Sequence, residues 1–165
     1  MKAVADSSVL IALSSIRLLH VLSRRFPAGV LVPPAVWAEV VETGTGQPGA
    51  ADVASASWIT VREVADKAFV GLLQGQLDAG EAEAIALARQ EGDAIVLLDE
   101  KDARRVAQRL SLRLLGTVGV LVWAKRAGVI ANLRDHLDAL DTQGRFRLSQ
   151  AVRREALRAA GEDET

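Results

Sequence analysis

The sequence has no cysteine, which excludes disulfide bridges, thiolate metal sites and a cysteine nucleophile. No apolar stretch approaches the length of a membrane span. The opening "MKAVADSSVLIAL" carries an acid inside its apolar run and does not read as a signal peptide, so a soluble cytoplasmic protein is the expectation. The glycines of "TGTGQPGA" lead to no Gly-Lys-Ser/Thr ending, which rules out a phosphate-binding P-loop. The two histidines, His20 and His136, sit in amphipathic segments at no ligand spacing and read as surface or boundary residues. Paired acids at the first strand and a well-placed late lysine are also absent, which argues against a receiver-like phosphoacceptor. There is no internal repeat. A length of 165 residues fits one domain, with a flexible loop at 44–50 and an acidic tail at 161–165.

What is present is enough for a core, since half of the residues are hydrophobic. The net charge of -1 conceals an asymmetry. Residues 1–100 hold 7 Lys/Arg against 13 Asp/Glu, and residues 101–165 hold 13 against 8. The basic clusters "KDARRVAQRLSLR", "AKR", "GRFR" and "AVRREALR" are either solvated helix faces or a phosphate-binding surface beside an acidic centre.

Strand-like and helix-like segments alternate. "KAVAD", "GVLVPP", "SWITVREV", "DAIVLLD" and "LRLLG" read as strands, the third at an edge. The stretch from Ser7 to Phe26 has helical spacing in two segments, with Ser7 or Ser8 as cap of the first. Pro34 suits the first turn of the next helix. Further helices follow at "DKAFVGLLQGQL", weakened by two glycines, and at "GEAEAIALARQEG" with Ala84, Ile85 and Ala88 inward. "KDARRVAQRL", "TVGVLVWAKRAG" (capped by Thr117), "NLRDHLDAL" and "SQAVRREALRAAG" complete the set. This alternation predicts an α/β fold with a mainly parallel sheet covered on both faces.

In such sheets, ligands bind beyond the carboxyl ends of the strands. Asp6 and Asp99 occupy two such ends. Glu81 opens the helix before the second of these strands, and Glu39 lies one turn into the helix after "GVLVPP". Each has a plain role when taken singly. Asp6 suits a helix cap, Glu81 favours a helix N-terminus, Glu39 is a solvated helix residue, and Asp99 starts the next helix. Gathered on one patch, four acids repel unless protonated or neutralised by a cation. Ligands that are all oxygen favour Mg²⁺ or Mn²⁺, and an ion that activates water removes the need for a histidine base.

Seven segments carry a family resemblance: "ADSSVLI", "VPPAVWAEV", "ASWITV", "LDAGEAEAIALA", "AIVLLDEKDARRVA", "GTVGVLVWAKRAGVI" and "RFRLS". In this order they resemble PIN-domain ribonucleases, in particular a prokaryotic branch related to VapC-type toxins. The resemblance implies a three-layer α/β/α fold and divalent-metal-dependent cleavage of single-stranded RNA. It matches Asp6 to the family's first-strand acid and Glu39 to the acid after P-x-x-V. Glu81 takes the place of an acid opening the later helix, and Asp99 that of the acid ending the fourth core strand. Ser8, Glu83 and Asp102 are candidates for support behind these four. Glu83 stands about 200° around the helix from Glu81, and a structural role suits Asp102. Arg104 and Arg105 are candidate RNA contacts.

The expectation is therefore an endoribonuclease using Mg²⁺ or Mn²⁺, the toxin of a type II toxin–antitoxin pair. A cognate antitoxin and a homodimer go with it. Ile16 to Phe26 is either a surface for such contacts or ordinary core. The rival is a non-catalytic PIN-like module that binds nucleic acid or protein, in which the acids only cap and solvate.

Overall fold

The computed structural model describes residues 1–143 and 146–162. Five short strands, β1 (Lys2–Ala5), β2 (Val30–Val32), β3 (Ile59–Val61), β4 (Ala94–Leu97) and β5 (Arg113–Leu115), form one sheet in the order β3-β2-β1-β4-β5. All four pairings are parallel. The chain winds outward from β1 to β3, then crosses back to lay β4 on the other side of β1. That reversal leaves a crevice beyond the carboxyl ends of β1 and β4, the place where open α/β sheets bind ligands.

Alternation along the strands divides the core in two. Ala3, Ala5, Val30, Val32, Ile95 and Leu97 face one helical layer. Val4, Leu31, Ala94, Val96 and Leu98 face the other. A period of two puts successive side chains on opposite faces, so a fully apolar strand needs cover on both. The first layer includes α1 (Ser7–Ser15), α2 (Val21–Arg25), α8 (Thr117–Arg126), α9 (Arg134–Thr142) and α10 (Gln150–Ala159). The second holds α5 (Lys67–Leu73), α6 (Ala79–Glu91) and α7 (Lys101–Arg109). The arrangement is the expected three-layer α/β/α sandwich. None of the helices among the described residues is long and apolar enough to cross a membrane.

Several local expectations change. Ile16, Leu18, Leu19, Val21, Leu22 and Phe26 are buried in the first core layer, so the segment from Ile16 to Phe26 is core and offers no free apolar face. The glycine-rich loop ends at Gly49, whose φ of 100° begins α4 (Ala50–Ser55), and Ala50 is already buried. Thr117 does not cap α8. Gly116 holds the capping position, and Thr117 turns its hydroxyl elsewhere. Neither Ser7 nor Ser8 caps α1, because Asp6 occupies that position. Within the acidic tail, Glu162 accepts a hydrogen bond from the Leu133 N–H at 2.5 Å. The tail's last residues, 163–165, lie outside the described residues, as do Gly144 and Arg145 of the "GRFR" cluster.

Leu13 is fully buried, whereas Leu72 on α5 is 74% exposed. Leu13→Ala is expected to destabilise the protein by about 2–5 kcal/mol and Leu72→Ala by no more than about 0.5 kcal/mol. Urea denaturation of both variants checks this. Equal losses would contradict the assignment of α1 to the core.

Candidate active site

The crevice is a cleft of about 680 Å³ whose lining includes Asp6, Glu39, Glu81 and Asp99. Four acids that are far apart in sequence meet there. Asp78 and Glu100 join them, and Arg147 is the one basic side chain lining it among the described residues.

Asp6 follows β1 directly. Its N–H donates to the Leu97 carbonyl at 3.1 Å, extending the ladder between β1 and β4 by one step. Its carboxylate makes no capping bond to α1. One oxygen, Oδ2, accepts from the Ser8 hydroxyl at 3.3 Å, while Oδ1 is buried with no hydrogen-bond partner among the described residues. Burial chiefly, then the charges of Glu81, Asp78 and Glu39, lift its pKa from 3.8 to about 7, against a smaller opposing pull from the Ser7 backbone. A buried polar atom without a partner costs free energy. Such an atom at a cleft is suited to a proton or a cation.

Gly80, in the first turn of α6, explains how a second carboxylate comes close. A Cβ built on Gly80 would lie 3.4 Å from Asp6 Oδ1 and 3.4 Å from Glu39 Oε2. The two acids therefore flank the bare backbone of this glycine. Glu39 is brought there by a change of helical pitch. Pro33 and Pro34 start α3 (Pro34–Trp37), which widens into a π-helical turn at Ala38–Glu42. The Thr43 N–H donates to the Ala38 carbonyl at 2.8 Å and its hydroxyl to the Ala38 and Glu39 carbonyls. Single π turns of this kind are frequent at functional sites.

Glu81 and Asp99 are tethered. Glu81 and Asp78 form a reciprocal capping box at the start of α6. The Glu81 N–H donates to Asp78 Oδ1 at 2.8 Å, and the Asp78 N–H donates to Glu81 Oε1 at 3.1 Å. Burial raises the Glu81 pKa, the Asp78 backbone opposes this, and the charges of Asp78, Glu100 and Asp102 add to the rise. Asp99 accepts from the Thr117 N–H at 2.8 Å and from its hydroxyl at 2.6 Å. Burial raises the Asp99 pKa as well, against the pull of Thr117 and Arg104. Residue 116 is glycine for lack of room, since a Cβ there would stand 2.9 Å from Arg104 Nη1 and 3.0 Å from Asp99 Oδ1.

The supporting candidates part company. Ser8 lines the cleft and bonds Asp6. Glu83 does not line it. Its Oε1 accepts from the Ala35 N–H at 3.4 Å, which holds the N-terminus of α3 and so the element that carries Glu39. Asp102 is exposed and pairs with Arg105 at 3.7 Å. Such a surface contact contributes little. Arg104 is turned inward and donates to the Leu98 carbonyl at 2.8 Å. Its position braces the loop before Asp99 and does not line the cleft, and neither does Arg105. The basic residue at the cleft is instead Arg147, beside Phe146, both from the "RFRLS" segment. Arg147 was visible in sequence as part of a basic cluster, but nothing there distinguished it from the others.

Among the described residues, no three acidic or imidazole side chains are already grouped as a ready-made metal centre. Mg²⁺ does not require one, because it keeps several waters and commonly takes one or two protein carboxylates together with substrate phosphates. Asp6 with its unpartnered oxygen, and Glu39 across Gly80, fit that demand.

A family model described as a PIN domain matches residues 2–162. A solved structure of a PilT N-terminus domain protein from the hyperthermophilic archaeon Sulfolobus solfataricus P2 is similar at 15% sequence identity and a TM-score of 0.48, over 91% of this chain and 99% of that one. No curated protein matches the chain. PIN domains are generally nucleases that use divalent metal ions.

The raised carboxyls have a consequence for the metal-free protein. Asp6 titrates at about 7 when folded and at 3.8 in the ordinary state, so between these values the native state holds the extra proton. Its contribution to stability is full below the lower value and is lost as pH rises through the upper one. In chelator, stability should fall from pH 5 to pH 8. Asp6→Asn should flatten the fall and exceed wild type at pH 8 by on the order of a few kcal/mol. Chemical denaturation in EDTA at both pH values measures it, and a wild-type stability that rises over this interval would refute the argument.

Proposed function

Since the chain belongs to the PIN-domain family, we propose that its acidic cleft is the active site of a divalent-metal-dependent endoribonuclease acting on single-stranded RNA. The observation that supports this best is Asp6, a buried carboxylate with an unpartnered oxygen in a cleft lined by five further acids. Asp6 and Glu39 would hold the ion from either side of Gly80, with Asp99 and Glu81 completing the site. When bound, Mg²⁺ or Mn²⁺ neutralises phosphate charge and activates a water for in-line attack.

The chain's own residues set the stage. Ser8 orients Asp6 through Oδ2, and Thr117 locks the rotamer of Asp99 with two hydrogen bonds. The capping box holds Glu81 at the mouth of α6. Arg147 contacts backbone phosphate, which fixes register without reading sequence. No side chain acts as a covalent nucleophile. On the resemblance to VapC-type toxins rests the finer part of the proposal: the toxin of a type II toxin–antitoxin pair, with a cognate antitoxin and a homodimeric assembly.

The rival, a non-catalytic binding module, draws on the capping box and the Thr117 bonds, which give two of the acids structural work. It leaves the unpartnered oxygen of Asp6 without a purpose.

Purified protein with Mn²⁺ and a labelled pool of single-stranded RNA distinguishes the two. Wild type should cut. Glu81→Gln keeps a capping-box residue and should fold normally, yet cleave about 10²-fold more slowly. RNA left uncut by wild type across several substrates would sink the catalytic reading.

A second test uses Gly80→Ala. Alanine favours a helix by about 1 kcal/mol over glycine, so the variant should melt no lower than wild type. Its methyl would stand between Asp6 and Glu39, and should therefore shrink the rise in melting temperature that Mn²⁺ produces in wild type. An undiminished rise would show that the ion does not bind between these two carboxylates.

A further inference from the structure

Beside the acidic cleft lies a second recess of about 620 Å³, lined in part by Arg17, His20, Asp52 and Trp58. Ser15 and Pro48 line both cavities, so the two adjoin along one face. We propose that this recess is a subsite for a nucleotide flanking the scissile phosphate of single-stranded RNA. The proposal rests on the nuclease reading and adds to it a place where the strand is held.

Arg17 supplies the first argument. It follows the end of α1, where the Leu18 N–H donates to the Leu13 carbonyl at 2.8 Å and the Arg17 N–H to the Ser14 carbonyl at 3.0 Å. This closure puts Arg17 in the left-handed region, with φ 62°. Glycine or asparagine usually fills such a position. Ser111 closes α7 with the same pattern, so the closure fixes where Arg17 sits, and it is the recess beside it that gives the side chain a use. Its side chain is exposed and makes no ion pair among the described residues. It is therefore free to meet a phosphate.

The other groups match the remainder of a nucleotide. Trp58 is half-buried, packed on the first core layer, and lines the recess. Bases of any identity stack on such a face. His20 is exposed at the rim and adds a second group that can donate to phosphate. Asp52, which accepts from the Ser14 hydroxyl, would repel a phosphate placed against it. It can still accept from a sugar hydroxyl or a base amino group. A cation, an acceptor and an aromatic residue lining one recess suit a nucleotide better than a bare anion.

The test is fluorescence anisotropy in EDTA with labelled single-stranded RNAs of about 4 and about 12 nucleotides, next to a cleavage assay with Mn²⁺. Wild type should gain affinity with length. Arg17→Gly relieves the left-handed backbone, so its melting temperature should hold or rise, while most of that gain is lost. Its salt dependence should become shallower by about 0.7 in the log–log slope. Trp58→Leu should weaken the longer RNA by roughly tenfold. If Trp58→Leu fails to fold, Arg17→Gly alone decides. Wild-type affinity and slope in Arg17→Gly, in a protein that still cuts RNA, overturns the subsite and leaves the nuclease reading standing. A wild type that neither binds nor cuts any RNA overturns both.

Discussion

Removing a carboxylate from water carries a free-energy cost that only a proton, a hydrogen-bond donor or a cation can offset. The crossover from β3 that lays β4 beside β1 imposes that cost on Asp6. The residue cannot retreat to solvent, because its backbone N–H is tied to the Leu97 carbonyl and continues the central ladder of the sheet. Ala3, Val4 and Ala5 before it are fully buried. The same short strand that contributes to both core layers thus delivers a charged group to the edge of the sheet where the winding reverses.

The other acids are arranged around that constraint by different means. Glu81 and Asp78 serve the N-terminus of α6, whose orphan N–H groups need acceptors in any case. Asp99 depends on Thr117, which gives up a capping role to hold it. Glu83 anchors α3 through the Ala35 N–H and so acts on the site at one remove, through Glu39. Glu39 itself is exposed on a π turn, the least constrained of the four. Glycine at position 116 makes the crowding feasible, since a side chain there would press on Asp99 and Arg104, and Gly80 leaves open the space beside Asp6 and Glu39.

The basic side chains show a similar division of labour. Arg104, which stands out in sequence as part of a doublet, is spent on the Leu98 carbonyl and steadies the approach to Asp99. Arg153 is mostly buried and pairs with Asp138 and Asp141 on α9. Arg147 and Arg17 remain at the two adjoining cavities. Part of the charge asymmetry is thus bracing, most of the basic residues after position 100 are exposed on the surface, and among the described residues Arg147 is the one that lines the cleft.

Periodicity and turn chemistry are local properties, so the sequence by itself determined the alternation of strands and helices, β3 as an edge, Pro34 in a first helical turn and the inward face of Ala84, Ile85 and Ala88. Acids at two strand ends were equally visible, since their placement follows from where the apolar runs stop. The tertiary structure decided what no local pattern encodes. It placed β4 beside β1, which brings Asp99 to the same cleft as Asp6 although the two are far apart in the chain. It assigned Thr117 to Asp99 and not to its own helix, and inserted the π turn that redirects Glu39. It buried the segment from Ile16 to Phe26, and it turned Arg104 inward while leaving Arg147 at the cleft. Each of these depends on which surfaces meet after the sheet closes, because a side chain's partner is set by packing between elements distant in sequence.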